Sequence, residues 1–395
     1  MNKLLFVGPP FVGHLSPALS LAMELAARGH EIRWVGDEKL LKKLGSKSMT
    51  VYGCTLDWVV DRANERLGEL RGSDAILSLW KTYLSMAQAM YPLTVEALDA
   101  FRPDLVLSDQ QTFAGSLAAR EAGYRWLTLA TTSGEIDPGP QSQASFHRWL
   151  MNALAEFGAE LGLRDASDPR FSPFGTLLFS SCALTGALPT HPQIAGVGCS
   201  IKHRSETAAF PWEKLDRRRK VLVSLGTLND LAGKSFLEEA WLACHERRET
   251  IQTILLDPSD SMERVSDDDI LVLRRVPQLA LLEHLDAIVC HGGQNTISEA
   301  ISHGVPLVVA PIRDDQPMNA AQVVDAGVGV RVRFGRPRAA AIGAAIDRVL
   351  GDPAYRAAAL DIQPSMANGT DRAADAVEHF LRSGALHNGM DSHDS

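Results

Sequence analysis

The alternation of short apolar runs with helical stretches restricts the fold of this chain more than any other feature, and it occurs twice. The first series contains KLLFVG at residues 3–8, EIRWVG at residues 31–36 and DLVLSD at residues 104–109. The second begins at Lys220 with KVLVSLGT and continues through LDAIVCHGG and GVPLVVAP. Strands that alternate with helices form parallel βαβ units. The sequence therefore predicts an α/β protein of two Rossmann-like domains, whose parallel sheets face a central cleft.

The same pattern predicts where the domains begin and end. We place an N-terminal domain over residues 1–203, a mixed and turn-rich linker over 204–219, and a C-terminal domain over 220–370. An amphipathic helix is predicted over 371–384, and it could pack back on the N-terminal domain. The polar residues 385–395 are predicted to form a disordered tail.

Composition excludes several classes of protein. The 395-residue chain carries a formal charge of −9, whereas a nucleic-acid partner would favour a basic face. No apolar run is long enough for a transmembrane helix. The opening MNKLLFVGPP is too short for a signal peptide and indicates a first strand, so we expect a cytoplasmic protein. Five scattered cysteines without a C-x-x-C pair argue against a disulfide framework and against structural zinc.

The usual nucleotide-binding loops are not present. GPPFVG at residues 8–13 has the glycine spacing of a P-loop, but His14 and Leu15 stand where that loop needs Lys and Ser or Thr. No G-x-G-x-x-G follows a strand, which argues against a nicotinamide cofactor.

A different anion site is indicated by IVCHGGQNT, where a strand is followed by Gly292, Gly293 and a helix that starts near Asn295 and Thr296. Glycines let backbone amides approach a ligand closely, and a helix N-terminus carries about half a positive charge. This arrangement would seat a diphosphate beside His291. The alternative is a histidine that only satisfies a turn.

Longer segments resemble a known family. RVPQLALLEHLDAIVCHGGQNTISEAISHGVPLVVAPIRDDQPMNA, from Arg275 onward, is similar to the donor-binding signature of the nucleotide-sugar-dependent glycosyltransferases of family 1. PFVGHLSPALSLAMELAARGHEI resembles their N-terminal signature, and VLVSLGT resembles their first C-terminal strand. The resemblance covers both halves and implies the GT-B fold, with an acceptor-binding N-terminal domain and a donor-binding C-terminal domain. It implies a hexosyltransferase of the bacterial antibiotic, natural-product or carotenoid type.

The resemblance also implies roles for individual residues. His14 aligns with the general base, and Asp109 aligns with the acid that orients it. The residues implied to contact the donor are Thr227, Arg275, Val276, Gln278, His291, Gly293, Asn295, Thr296, Glu299, Asp315 and Gln316, with Asn319 as support. Among these, Gln278 and Glu299 align with nucleoside contacts, His291 and Thr296 with diphosphate contacts, and Asp315 and Gln316 with the pair that binds sugar hydroxyls. Arg275 stands where many members have a base-stacking Trp, which leaves UDP and dTDP as alternative donors.

The paired residues His14 and Asp109 suit the implied chemistry. A neutral imidazole can take a proton from an acceptor near neutral pH, and a carboxylate can hold its tautomer. Both residues follow strands that could be neighbours in a parallel sheet. Direct displacement by the acceptor would invert the anomeric carbon. For His14 the alternative is a loop histidine packed for structure, and for Asp315 and Gln316 it is a plain polar loop.

Two less regular segments are candidates for the acceptor site. They contain the large apolar side chains Trp58, Trp80, Tyr83, Met86, Phe146 and Trp149. Core packing is the usual role of such residues, and an apolar pocket wall is the alternative. If they line a pocket, the acceptor would be an apolar or aromatic small molecule.

Two other functions fit the same architecture: a nucleotide-sugar epimerase and a non-catalytic nucleotide-sugar-binding partner. The presence of His14 with Asp109 favours transfer over both. We expect no metal, because no second carboxylate cluster could seat one. No cofactor is expected beyond the nucleotide sugar as co-substrate, and the protein is predicted to be a monomer or a homodimer.

Overall fold

The computed structural model describes residues 1–62, 73–134, 136, 144–163, 168–186, 193–204, 206–226, 231–262 and 267–386. The chain divides into two compact units. The first unit comprises Met1–Ser181, Leu188–Arg204 and Asn368–Ser395, and the second comprises Cys182–Ala187 and Ser205–Ala367. Each unit therefore contains more than one stretch of sequence.

The first unit is built on a sheet of seven parallel strands in the order β3-β2-β1-β4-β5-β6-β7. The strands are β1 (Lys3–Val7), β2 (Glu31–Asp37), β3 (Thr50–Cys54), β4 (Leu105–Asp109), β5 (Trp126–Ala130), β6 (Thr176–Leu178) and β7 (Ile194–Gly196). The central strands β4 and β5 are buried along their whole length because helices cover both faces of a parallel sheet.

The helices of the first unit alternate with these strands. They are α1 (Val12–Ala27), α2 (Glu38–Leu44), α3 (Ser73–Phe101), α4 (Phe113–Glu121) and α5 (Ala144–Glu160). One apolar core lies between the sheet and α1, around Phe6 and Trp34. The second core lies on the other face, where α3, α4 and α5 pack around Phe101 and Phe113.

Helix α1 corrects one expectation. The pair Ser16–Pro17 suggests a helix that starts there, yet α1 begins at Val12 and encloses Pro17. The Ser16 hydroxyl donates to the Val12 carbonyl one turn back rather than capping the helix. The earlier start places His14 in the first helical turn, directly after the end of β1.

The second unit is built on six parallel strands in the order β10-β9-β8-β11-β12-β13. They are β8 (Arg219–Ser224), β9 (Ile251–Leu256), β10 (Ile270–Leu273), β11 (Ala287–Cys290), β12 (Leu307–Val309) and β13 (Gly329–Arg331). The helices are α6 (Cys182–Thr185), α7 (Leu231–His245), α8 (Gln278–Leu282), α9 (Gln294–Ser302), α10 (Gln316–Asp325), α11 (Ala339–Gly351) and α12 (Pro353–Met366). Apolar cores lie on both faces of this sheet as well.

The last helix, α13 (Gly369–Ser383), belongs to the first unit and packs against α1. It buries Val377 and Phe380 in the core that contains Phe6. Arg28, at the end of α1, joins the two helices: its guanidinium contacts Asp375 at 2.5 Å and Glu378 at 3.2 Å.

Strand order reverses once in each sheet, between β1 and β4 in the first and between β8 and β11 in the second. In open parallel sheets, ligands bind beyond the carboxyl ends of the strands at this switch point. The loops that follow these four strands are therefore the candidate ligand-binding loops.

Candidate active site

His14 and Asp109 meet at the switch point of the first unit. His14 Nδ1 lies 2.9 Å from Asp109 Oδ2. The His14 side chain is 18% exposed and that of Asp109 is 3% exposed. Neighbouring strands end side by side in a parallel sheet, which is why residues so far apart in sequence come together.

The surroundings hold this pair in a defined geometry. Asp109 Oδ1 accepts a hydrogen bond of 2.9 Å from the Gln111 backbone N–H, so both carboxylate oxygens are engaged. The Phe11 ring lies 5.9 Å from the His14 ring, centroid to centroid. A carboxylate only accepts hydrogen bonds, so it favours the tautomer with hydrogen on Nδ1 and makes Nε2 the basic nitrogen.

The switch point of the second unit is occupied by His291, which follows β11. Its imidazole is held between two glycines. A Cβ on Gly226 would lie 2.7 Å from His291 Cε1, and a Cβ on Gly293 would lie 2.6 Å from Nε2. Real Cβ atoms do not approach so closely, so only glycine fits on either side of this ring.

The imidazole of His291 is neutral at physiological pH. Burial lowers the pKa of His291 to about 4, assisted by the Arg313 cation and opposed by Asp315. The ring nitrogen Nδ1 is buried and meets no hydrogen-bond partner among the residues that the structure describes. His291 can therefore contact an anion as a hydrogen-bond donor and not as a cation.

Helix α9 begins at Gln294, three residues after His291. Gly293 is its N-cap and has no side chain to cap the first-turn amides, and the preceding Gly292 has a φ of 91°. Asn295 and Thr296, in the first turn, are partly buried. A glycine N-cap and the helix dipole make this end of α9 suitable for a phosphate group.

Two residues that the sequence assigns to the nucleoside lie in contact. Gln278 Nε2 donates to Glu299 Oε2 at 2.6 Å, which joins the start of α8 to the interior of α9. Glu299 is buried, with 1% of its surface exposed.

The N-terminal end of α10 also contains three of the predicted residues, Asp315, Gln316 and Asn319. Asn319 Nδ2 donates to Asp315 Oδ2 at 2.9 Å and to the Gly292 carbonyl at 3.0 Å. Gln316 Oε1 accepts from the backbone N–H groups of Ile312 and Arg313. The Gln316 side-chain oxygen therefore holds its own loop, and a sugar hydroxyl would have to approach its Nε2.

The remaining predicted donor residues are more scattered. Arg275 is exposed, and Val276 packs against the core of the second unit. Thr227 lies outside the described residues.

Most of the residues predicted to bind the acceptor lie in or against the core of the first unit. Trp80 and Tyr83 are 5% exposed and Met86 is fully buried. Trp58 and Trp149 are only partly buried and pack against the same core, which makes them the better placed to contact a ligand. The side chain of Phe146 lies outside the described residues. A role for this set in acceptor binding stays a prediction.

One neighbour of the base was missed by sequence reasoning. Thr131 Oγ1 lies 2.7 Å from His14 Nδ1. The available signal was position, since Thr131 directly follows β5, which lies beside β4. Nothing in the sequence ATTSG distinguishes Thr131 from Thr132 or Ser133.

Neither a metal-binding cluster nor a membrane-spanning helix is found among the described residues. No group of three or more His, Cys, Asp or Glu side chains could hold a metal ion. Within the same ranges, no helix combines the length and the apolar character needed to cross a membrane.

Comparison with known proteins identifies the class. Residues 248–376 match the family described as erythromycin biosynthesis protein CIII-like, C-terminal domain. The NDP-glycosyltransferase YjiC of Bacillus subtilis strain 168 is 27% identical over 95% of this chain and 97% of its own length. The chain is a glycosyltransferase. The resemblance noted in the sequence is thereby confirmed.

Solved structures confirm the fold of this glycosyltransferase. The glycotransferase of kitacinnamycin superposes with a TM-score of 0.79 at 23% identity, over 96% of this chain and 99% of that one. The glycosyltransferase VinC in complex with dTDP gives a TM-score of 0.75 at 20% identity, over 96% and 98%. The glycosyltransferase therefore has the predicted GT-B fold, with two parallel-sheet α/β domains.

Proposed function

We propose that the enzyme transfers a sugar, with inversion, from a nucleoside diphosphate sugar to a hydroxyl or other nucleophile of an apolar small molecule. His14 acts as the general base and Asp109 orients it. The observation that carries this proposal is the 2.9 Å contact between His14 Nδ1 and Asp109 Oδ2 at the switch point of the first sheet.

The reaction needs one proton transfer and one displacement. His14 Nε2 takes the proton of the acceptor hydroxyl while that oxygen bonds to the anomeric carbon of the donor. The bond from the anomeric carbon to the phosphate oxygen breaks, and its electron pair leaves with the nucleoside diphosphate. Asp109 stabilises the imidazolium that forms. Attack from the face opposite the leaving group converts an α-linked donor into a β-glycoside.

The second unit supplies the groups that bind the donor. The first-turn amides of α9 and the neutral imidazole of His291 stabilise the charge that develops on the diphosphate. Asp315 and the Nε2 of Gln316 bind sugar hydroxyls. Gln278 and Glu299 contact the nucleoside, and the donor is UDP- or dTDP-linked. YjiC, named as an NDP-glycosyltransferase, and VinC, solved with dTDP, support this donor class.

The acceptor is proposed to be an apolar natural product. Trp58 and Trp149 offer partly exposed indole surface beside the core of the first unit. The glycotransferase of kitacinnamycin has a similar fold, which agrees with an acceptor of this type. We further propose that transfer needs neither a metal nor another cofactor, so that EDTA leaves the rate unchanged.

Substitution of the base tests the proposal. His14→Ala should lower kcat by about 10²-fold or more, because general-base assistance is lost. Binding of UDP or dTDP, measured by calorimetry, should be unchanged, because the donor groups lie in the other unit. The exposed His284→Ala is the matched control and should keep wild-type activity. Wild-type turnover by His14→Ala would refute the base assignment.

Analysis of the reaction products distinguishes an epimerase from a glycosyltransferase. We expect UDP- or dTDP-sugars to remain chemically unchanged without an acceptor, and a panel of phenolic, polyketide and macrolide acceptors to yield products heavier by one sugar residue. Conversion of the donor to an isomer without an acceptor would favour epimerisation instead.

A further inference from the structure

We propose that Thr131 is a positioning residue for the base. Its hydroxyl shares the Nδ1 hydrogen of His14 with Asp109, and so helps to hold the imidazole with Nε2 available for the acceptor proton. This inference rests on the proposed function, in which His14 is the base.

The geometry at His14 Nδ1 is unusual because two oxygens approach one nitrogen. Thr131 Oγ1 lies 2.7 Å away and Asp109 Oδ2 lies 2.9 Å away. Both distances are those of hydrogen bonds. Thr131 and Asp109 are both buried, so little water competes for either contact.

The protonation of the ring follows from these two partners. A neutral imidazole nitrogen has either one hydrogen or one lone pair. If Nδ1 had the lone pair, it would face the lone pairs of the Asp109 carboxylate. Hydrogen on Nδ1 avoids this repulsion, and the hydroxyl oxygen of Thr131 then accepts the same hydrogen in a three-centre bond.

Two hydrogen-bond acceptors at Nδ1 restrict the orientation of the His14 ring more than one acceptor does. A single contact to Asp109 would leave the ring able to tilt about that bond, whereas a second oxygen fixes its plane. Threonine suits this task because its branched Cβ restricts χ1. Once Nε2 has taken the acceptor proton, both oxygens remain on Nδ1–H and stabilise the imidazolium.

The test compares Thr131→Val, which keeps the shape and removes the hydroxyl, with Thr131→Ser, which keeps the hydroxyl. The first readout is an NMR titration of the His14 imidazole nitrogens in the free enzyme, assigned by the signals lost in His14→Ala. We expect Thr131→Val to lower the pKa of His14, because the bond from Nδ1–H to the Thr131 hydroxyl is stronger in the imidazolium than in the neutral ring.

The second readout is steady-state transfer. Thr131→Val should lower kcat by roughly 3- to 30-fold with little change in either KM, because the acceptor and the donor still bind. The acid limb of the kcat/KM profile should move with the pKa of His14. Thr131→Ser should recover most of both losses.

Thr132→Val is the matched control. Thr132 is also buried, but its hydroxyl accepts from the Gly134 backbone N–H instead. It should leave the His14 pKa at the wild-type value. Equal effects of Thr131→Val and Thr132→Val, or an unchanged His14 pKa in Thr131→Val, would overturn the positioning role.

The two proposals fail separately. Full activity of His14→Ala would remove the base from the mechanism, whatever the titration shows. An unmoved His14 pKa in Thr131→Val would remove only the role of Thr131, even if His14→Ala is inactive.

Discussion

At the scale of single residues, the space around His291 is set by glycines on both sides of its ring. Gly293→Ala tests this directly, because Gly293 has an ordinary φ of −65° and the new Cβ would lie 2.6 Å from His291 Nε2. The ring must move, so we expect UDP or dTDP affinity to fall by about tenfold or more and stability to fall by about 1–3 kcal/mol. Calorimetric titration and urea unfolding would measure the two effects.

Gly335→Ala is the control for that substitution, since a Cβ there would meet no atom within 4 Å. It should change stability by less than about 0.5 kcal/mol. Nucleotide affinity that is equal in the two variants would contradict the role given to the glycine at position 293.

The lowered pKa of His291 makes stability depend on pH. The folded protein binds this proton only near pH 4, whereas the unfolded chain binds it near the ordinary value of 6.5. Stability from this group is therefore present above about pH 6.5 and is lost as the pH falls towards 4. Between pH 7 and 4.5 we expect the wild type to lose about 2 kcal/mol more than His291→Gln does. This loss is smaller than the free energy that corresponds to the full pKa difference, because His291 retains some contact with solvent. Urea unfolding at both pH values checks it, and parallel curves would contradict it.

Sequence reasoning reached some residues of the site and not others, for physical reasons. His14 and Asp109 were predictable as a pair because strands of a parallel sheet end at one edge. Thr131 was not, because a third strand end had several equivalent hydroxyls. Gln316 Oε1 accepts hydrogen bonds from the backbone N–H groups of Ile312 and Arg313. These bonds depend on the local backbone conformation, which no sequence pattern specifies.

At the scale of elements, the contact between α1 and α13 depends on one cation among several carboxylates. Arg28 lies within ion-pair distance of Glu24, Asp371, Asp375 and Glu378. The pKa of Glu24 is lowered to about 2 by hydrogen bonds from His203, Lys202 and Arg28. Such a network is worth more than an isolated surface pair.

Arg28→Ala should therefore destabilise the first unit by about 1–2 kcal/mol, because several partly buried carboxylates lose their common partner. Lys42→Ala, which breaks the exposed pair between Lys42 and Glu38, should cost less than about 0.5 kcal/mol. Thermal unfolding at low and high salt would measure both. Similar losses in the two variants would contradict the importance of the network.

Elements were predictable where one periodicity dominated. The apolar strands and the βα alternation follow from burial on both faces of the sheet. The start of α1 that the Ser16–Pro17 pair predicts is wrong: the helix begins at Val12, and the Ser16 hydroxyl donates to the Val12 carbonyl instead of capping the helix. The less regular segment that contains Trp80 and Tyr83 lies partly within α3, which is one helix that encloses Pro92. Proline predicts the start or the break of a helix in an isolated segment. In the folded protein, however, α1 continues through Pro17 and α3 continues through Pro92.

At the scale of the whole molecule, the first unit depends on sequence from the far end of the chain. Phe380 is fully buried in the core that contains Phe6 and Trp34. Phe380→Ala should cost the first unit about 3–5 kcal/mol, the usual cost of emptying such a site. Faster amide hydrogen exchange is expected across β1, β2 and β4, with little change in β8–β12.

The exposed Leu360→Ala, in α12 of the second unit, is the control, because its side chain is 46% exposed and its loss should leave exchange in the first unit unchanged. Faster exchange confined to residues 206–367 in Phe380→Ala would contradict the assignment of α13 to the first unit.

The return of α13 to the first unit also limits how enzymes of this kind can be recombined. A chimaera joined once, near residue 205, would pair the amino-terminal sheet of one parent with the closing helix of the other. Arg28 and Phe6 of one parent would then contact the last helix of the other parent, whose side chains fit a different first unit. Exchange of residues 205–367, the larger segment of the second unit, instead requires two junctions, one near residue 205 and one near Asn368, so that the sheet and the closing helix of the first unit come from the same parent.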